Sequence, residues 1–418
     1  MTFVARFSRF TTRSIQLVLQ GSKTYWLWVL VLLLLIASGV QAYVHQLTTG
    51  LYVTAMRDQV SWGFYIGNFT FLVGVAAAAV MLVIPAYVYH WGPIREIVII
   101  GELLAISAIT MCGLFVLVDV GRPDRVWHLM PVIGLNFPSS ILAWDVVVLN
   151  LYGVLNFVIV THILYRAFHG RHYAKALVVP LVLFSIPAAI GIHTVTAFLF
   201  NGLAARPYWN ASILAPQFLA SAFCSGPAIL LIVLQLLRRF TRFEIQDVAI
   251  WKIAELMAYA MFFTLFLHGV EAFKEYYSAT QHLMYTRYWF EGLEGHRTLV
   301  PFAWIAVSLN ITAFILFIVP VTRRNWVTLN IGCLAIYSGC YIDKGMGLII
   351  PGFTPDTLGE IYEYYPTLSE VRVAAGIFAI GFLVFTLLIK VAIPILLGEF
   401  QDVEAKGAHA HAVSAHVM

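Results

Sequence analysis

Apolar runs of about 20 residues, the length a helix needs to cross the hydrocarbon of a bilayer, recur ten times along this 418-residue chain, each closed by a short polar or charged stretch. They predict spanning helices near 26–44, 64–89, 97–118, 140–164, 176–200, 213–236, 253–270, 302–319, 327–350 and 373–397. The fold class expected is therefore an all-α integral membrane protein of about ten transmembrane helices. The first run follows Arg6, Arg9, Arg13 and Lys23, is too long for the apolar core of a signal peptide and lacks a clear small-x-small cleavage site, so it reads as a retained helix. Residues 1–23 then form an N-terminal segment, 24–398 the membrane domain and 399–418 a tail. In that tail His409, His411 and His416 stand among small residues with nothing to pack against, which reads as disorder rather than metal capture.

Lys and Arg mark the cytoplasmic side of a membrane protein. Of the 25 here, the larger share falls on one set of alternate connections: the N-terminal cluster, Arg95, Arg166, Arg171, Lys175, Arg238, Arg239, Arg242, Lys252, Arg323, Arg324 and Lys406. Both termini are thus expected in the cytoplasm of a bacterial or archaeal cell, beneath the inner membrane. The longer connections between spans 3 and 4, 7 and 8, and 9 and 10 then face outward, where a partner would dock. Composition agrees with a membrane protein, since 61% of residues are apolar and 11% charged, less than half the charge of a soluble domain. A water-soluble enzyme is excluded, and 25 basic against 21 acidic residues without a clustered basic face gives no footprint for nucleic acid. Cys112, Cys224, Cys333 and Cys340 are scattered with no Cys-x-x-Cys, so neither a disulfide framework nor a self-contained iron–sulfur or zinc site is indicated, and no metal site is assigned.

An ionisable side chain inside a membrane segment costs about 2.5–3.5 kcal/mol on insertion scales, so each needs a reason. Asp145 lies roughly 9 Å below the outer boundary at the helical rise per residue, too deep for a short carboxylate to reach the interface. His193 falls in the outer half of span 5, and His268 and Glu271 lie one turn apart near the outer end of span 7. Glu102 sits in the cytoplasmic half of span 3, and His162 and Glu255 near cytoplasmic ends. Lys274, Asp343 and Lys344 can snorkel to the interface or pair with one another. The segment from Asp119 to His128, with Gly121-Arg122-Pro123 breaking span 3 and Trp127 and His128 following, is either an anchored turn or a mouth. As a mouth, Arg122 and His128 would donate hydrogen bonds to the carbonyl of a lipid-soluble ring above Asp145. A short echo repeats Ser140-Ile141-Leu142-Ala143 as Ser212-Ile213-Leu214-Ala215, each after an Arg-Pro (122–123, 206–207), and sets Asp145 opposite Gln217, so that only one half carries the acid.

At these residues the chain resembles the NrfD-type family, the quinone-binding membrane subunits related to polysulfide reductase and found also with periplasmic hydrogenases and alternative complex III. The resemblance runs over Trp62-Gly63 to Gly74, Gly121 to His128, Trp144-Asp145, Ile192 to Val195, Ala205 to Pro216 and Asp343 to Phe353. The last two stretches look most like the DsrP and HmcC branch of dissimilatory sulfur-metabolism complexes. The resemblance implies two four-helix bundles, roughly 62–202 and 212–350, with flanking helices, no haem in this subunit, and a pocket for menaquinone or ubiquinone near the outer face. It also implies a periplasmic ferredoxin-like iron–sulfur partner, with further membrane and cytochrome subunits around it. Carried onto this chain, the resemblance implies His128 and Asp145 as site residues; the reading of the residues themselves adds His193 to these two as catalytic groups, and sets Arg122, His128, Asp145, Trp127 and Arg206 as the binding set, with Arg122 and His128 orienting the ring and Asp145 and His193 exchanging protons.

Quinol oxidation releases two electrons and two protons, so the protein must hold the ring near an acceptor and offer a base to each proton. By cysteine arithmetic the electrons belong to a partner. A di-haem cytochrome b would need stacked histidine pairs, and His45, His90, His128, His162, His193 and His268 occupy different segments at mixed depths. The alternative from another class is a proton or ion transporter with broken helices at Pro85, Pro180, Pro187, Pro216 and Pro227. Coupling of quinone chemistry to proton translocation would merge the two readings, with Glu102, Glu255, His268 and Glu271 as the path.

Overall fold

The structure, a computed structural model, describes residues 3–95, 97–134 and 136–402, and the expected tail with His409, His411 and His416 lies outside the described residues. Among the described residues, ten helices are long and apolar enough to cross a membrane: α1 Lys23–Thr49, α2 Phe64–Tyr87, α3 Val98–Asp119, α4 Ile141–Phe168, α5 Lys175–Asn201, α6 Leu214–Phe240, α7 Asp247–Ser278, α8 Val300–Ile318, α9 Trp326–Phe353 and α10 Leu368–Leu396. Several start where a polar side chain satisfies the free amides of a first turn. Ser22 caps α1 and accepts from the Tyr25 amide, Ser140 caps α4, and Asn325 caps α9. At α10, Thr367 and Glu370 cap each other's backbone reciprocally.

The expected spans are all found, with one systematic difference. α7 extends beyond the apolar stretch 253–270 at both ends, taking in Lys252 and Asp247 on one side and Glu271 to Ser278 on the other. Hydropathy stops at the first charges, whereas backbone hydrogen bonding continues past them into the polar layers. A further helix, Phe3–Val18, precedes the first span and was not expected from hydropathy, because its apolar residues form one face rather than a run. It packs Phe10 edge-on against Phe168 and Tyr165 at the end of α4, and Arg9 donates to Asp402 beyond α10 at 3.1 and 3.2 Å.

Two closed groups of four helices form the body. α2, α3, α4 and α5 pack on one another, as do α6, α7, α8 and α9, and α2 joins the groups by packing along α6. α1 lies outside them on α10, which in turn lies on α3. The α1–α10 crossing is a backbone-to-backbone contact: a Cβ on Gly39 would lie 2.8 Å from Gly376 Cα. Small residues at such a crossing allow the close approach that drives association in lipid. The two membrane faces differ. Connections 51–63, 120–140, 202–213, 279–299 and 354–367 make a loop-rich face, and the short Arg-containing connections make a basic face.

A candidate quinone-linked site at the loop-rich face

The segments that carry the family resemblance meet at the loop-rich end of the two groups. Trp209 is fully buried, its Nε1 donates to Leu348 O at 2.8 Å, and its ring packs against Trp62, Phe200 and Phe353. Gly352 is required there, since a Cβ would fall 1.9 Å from Trp209 Cε2. Arg206 donates to Phe353 O at 3.2 Å and lies over the Phe353 ring at 4.8 Å, so its guanidinium ties the 202–213 connection to the end of α9.

α9 is interrupted at Gly345, which separates Trp326–Lys344 from Met346–Phe353. The break packs on Gly67 of α2, and Tyr341 donates to Asn68 at 2.8 Å, so the interruption sits at the seam between the groups. Lys344 ends the first segment. Its side chain neither snorkels nor pairs with Asp343, in contrast to the sequence expectation: it is buried, donates to Phe218 O at 3.2 Å, and lies 4.3 Å from the Phe218 ring centroid. A Cβ on Gly74 would lie 3.3 Å from the Lys344 ammonium, so only the absence of a side chain in α2 leaves that group room.

Beside Lys344 opens a cavity of about 80 Å³, walled by α6, α7, α9 and the short helix Leu283–Phe290. At roughly 10–15 Å³ per water it has room for several. Its polar groups come in pairs. His268 Nδ1 gives its proton to Thr264 O at 2.7 Å while Nε2 meets Asp343 Oδ2 at 2.9 Å, and Gln217 donates to Glu271 at 2.7 Å. Asp343 thus pairs with His268 rather than with its neighbour, because successive residues on a helix point apart. The two positions that the echo sets opposite each other, Asp145 and Gln217, each bond to the following helix, at Thr196 and Glu271. The second half is not without an acid, however: α7 supplies Glu271 to Gln217.

In the other half Asp145 is buried, as is His193. Thr196 Oγ1 lies 2.6 Å from Asp145 Oδ1 and 2.7 Å from Ile192 O. A hydroxyl has one proton, and a carbonyl only accepts. The single Thr196 proton therefore serves one of the two acceptors at a time unless Asp145 itself carries a proton. His193 Nδ1 donates to Ala189 O at 2.9 Å, leaving Nε2 buried without a partner among the described residues. Asp145 and Lys344 both lie within electrostatic reach of Cys112, and Lys344 within reach of His193, so the two constellations share one neighbourhood.

The remaining expected residues are placed differently. Arg122 is exposed and spends two donors on Asp124, at 3.0 and 2.9 Å, and that guanidinium holds the Asp124 carboxyl below the usual carboxylate range. Trp127 is exposed and packs edge-on against His128, both in the turn Pro123–Leu129. Glu102 is buried in α3 near the basic face, one carboxylate oxygen unpaired. Glu255 lies at the basic end of α7, accepting from Tyr259 at 2.9 Å and facing Lys252 at 3.4 Å and Arg323 at 3.7 Å. Of the four path residues, His268 and Glu271 line the cavity, and Glu102 and Glu255 do not. Sequence reasoning did not single out the contact of Thr196 with Asp145 or the buried role of Lys344. The Gly345-x-Gly347 pair after Lys344 was the available signal, because it marks a helix break that turns a side chain inward.

The comparisons with known proteins accord with this layout. Residues 52–355 match the family described as polysulphide reductase, NrfD. A putative dimethyl sulfoxide reductase membrane subunit of Halobacterium salinarum is 27% identical over 86% of this chain and 88% of its own. A selenate reductase subunit of Mesobacillus selenatarsenatis is 24% identical, covering 84% of this chain and 90% of its own. The Hdr-like menaquinol oxidoreductase integral membrane subunit of Archaeoglobus fulgidus is 23% identical over 88% and 92%. With the family match spanning most of its length, both groups of four helices included, the chain belongs to the NrfD family of polysulphide reductase-type membrane proteins.

Proposed function

We propose that this chain is the quinone-exchanging membrane subunit of an oxidoreductase complex, linking the quinone pool of a prokaryotic inner membrane to an iron–sulfur partner on the loop-rich, outer face. The observation that carries the reading is the gathering of ionisable groups toward the loop-rich face, on both sides of the α2–α9 seam: buried Asp145 and His193 in one half, the partly exposed His268, Glu271 and Asp343 around a cavity in the other, and buried Lys344 beside that cavity. Removal of two electrons from a quinol frees two protons, and a base in each half suits that stoichiometry. Bound quinone supplies the electron-carrying chemistry. Lys344 offers its remaining N–H donors to a ring oxygen, the His268–Asp343 pair takes one proton, and Asp145 exchanges the other through Thr196. Arg122, Trp127 and His128 form the rim above, where Arg122 can be shared between Asp124 and an incoming carbonyl.

The relatives' names support the quinone reading, since one is called a menaquinol oxidoreductase subunit and others are subunits of reductases. The chain's cysteines are spaced singly, so electrons need a partner, and the 120–140 and 354–367 connections offer it a platform. A role in sulfur-compound respiration, as in the polysulfide reductase relative of Wolinella succinogenes, belongs to the same proposal. The test is quinol-dependent turnover of the purified complex carrying Asp145→Asn. Asparagine keeps the contact to Thr196 but accepts no proton, and loss of a positioned acid–base group slows a reaction by about 100- to 10,000-fold. Assembly should survive. Near-normal turnover would refute the assignment of Asp145, and absence of any quinone-linked turnover in the wild-type complex would refute the function.

A further inference from the structure

At the opposite, basic face a second cavity of about 610 Å³ opens among five elements that are distant in sequence. Its rim carries Arg95 ahead of α3, Arg171 between α4 and α5, and Arg242 between α6 and α7, against one lining carboxylate, Glu244, with Glu399 outside the lining facing Arg242. The three guanidiniums are poorly compensated. Arg95 donates to Tyr173 OH at 3.1 Å, a neutral partner. Arg171 has no side-chain partner among the described residues, and Arg242 meets Glu399 at 3.4 Å with 88% of its side chain exposed, a geometry worth little in water. Beneath the rim the floor is apolar, made by Ile99 of α3, Ile163 of α4 and Leu396 of α10, at the level where the spans begin.

From this juxtaposition we propose that the cavity is a binding site for an anionic phospholipid, its phosphate held by Arg95, Arg171 and Arg242 and the start of an acyl chain laid on Ile99, Ile163 and Leu396. Guanidiniums are suited to phosphate because their planar forks give two parallel donors and carry little hydration to lose. A soluble anion would be recognised by the rim alone. The apolar floor adds a surface suited to an amphiphile, and Ile99, Ile163 and Leu396 lie near the basic-face ends of α3, α4 and α10. The site ties α3, α4, α6 and α10 together at the face away from the redox chemistry, and it stands independently of the proposed function.

The experiment uses the full chain in nanodiscs of phosphatidylcholine alone or of phosphatidylcholine with phosphatidylglycerol, followed by transfer to mild detergent and native mass spectrometry of retained lipid. Phosphatidylglycerol should be retained and phosphatidylcholine not. A basic residue near a membrane surface contributes about a fivefold preference for anionic lipid, so Arg95→Gln with Arg171→Gln should weaken retention by about 30-fold. Glu244→Gln, which removes the opposing charge, should strengthen it, and this variant keeps the test sharp should the double variant fold poorly. Equal retention of both lipids, or no response to either change, overturns the proposal. Displacement of retained lipid by inorganic phosphate at equal concentration overturns it in favour of a soluble-anion site.

Discussion

Replacing Lys344 by Met separates a working ammonium from a tolerated one. Insertion of a lysine at the centre of a span costs about 2.5–3.5 kcal/mol. In the native site a charge-assisted bond to Phe218 O returns about 1.5–3 kcal/mol, and the Phe218 ring face at 4.3 Å returns about 1–2. The terms cancel to within about 2 kcal/mol, and methionine refills most of the volume with a flexible apolar chain. Thermal stability of Lys344→Met in detergent should therefore change by a few degrees at most. Turnover should behave otherwise. A charged hydrogen bond of about 1.5–3 kcal/mol to the reacting ring, lost from the transition state, lowers the rate by roughly 10- to 150-fold. The assay is quinol oxidation by the purified complex beside a melting curve of the same preparation. Unchanged stability with turnover within about twofold of wild type would refute the role given to Lys344. A melting point lowered by more than about 10 °C, with activity lost in step, would show a structural strut instead.

Gly352→Ala should displace Trp209 from the cluster of Trp62, Phe200 and Phe353, costing about 1–3 kcal/mol by overpacking, read as a lower melting temperature and a rise in Trp fluorescence quenching by water-soluble acrylamide. Asp402→Asn removes the carboxylate charge faced by Arg9 and His169 and should loosen the Phe3–Val18 helix, read as faster hydrogen exchange across those residues with little change in the ten spans. Burial holds His169 below the ordinary histidine range, so its contribution to docking that helix is complete above about pH 6.5 and is lost as pH falls through the lower, folded-state value. Exchange in residues 3–18 should therefore quicken as pH falls below about 6.5 while that in α3 does not, and a pH-independent profile would remove His169 from the linkage.

Most of the fold was legible because lipid makes the rule simple: a backbone in hydrocarbon must bond to itself, so long apolar runs are helices. The ten spans follow from that alone. The Phe3–Val18 helix was not visible to the same rule, since Phe7 and Phe10 alternate with arginines and only a helical period shows the face they share. The site was legible in kind and less so in partnership. Asp145, His193, His268 and Glu271 stand out as costly charges, and all four are in the loop-rich half. Which of them meet is decided by tertiary contacts between distant helices. Asp343 goes to His268 rather than to Lys344, and Lys344 goes inward because Gly345 ends its helix and Gly74 leaves it space. Arg122 shows the converse, a residue conspicuous by its motif whose strongest interaction is with Asp124 two positions on.

The Gly39–Gly376 contact bears on how the molecule is made. Of the ten spans, α1 is made before the others and rests mainly on α10, so it must wait in lipid, its glycine face unmatched, until synthesis has passed Leu396. Closure of that clasp is a late event in biogenesis, and chains halted before it keep their opening helix adrift, ready for the quality-control proteases of the membrane.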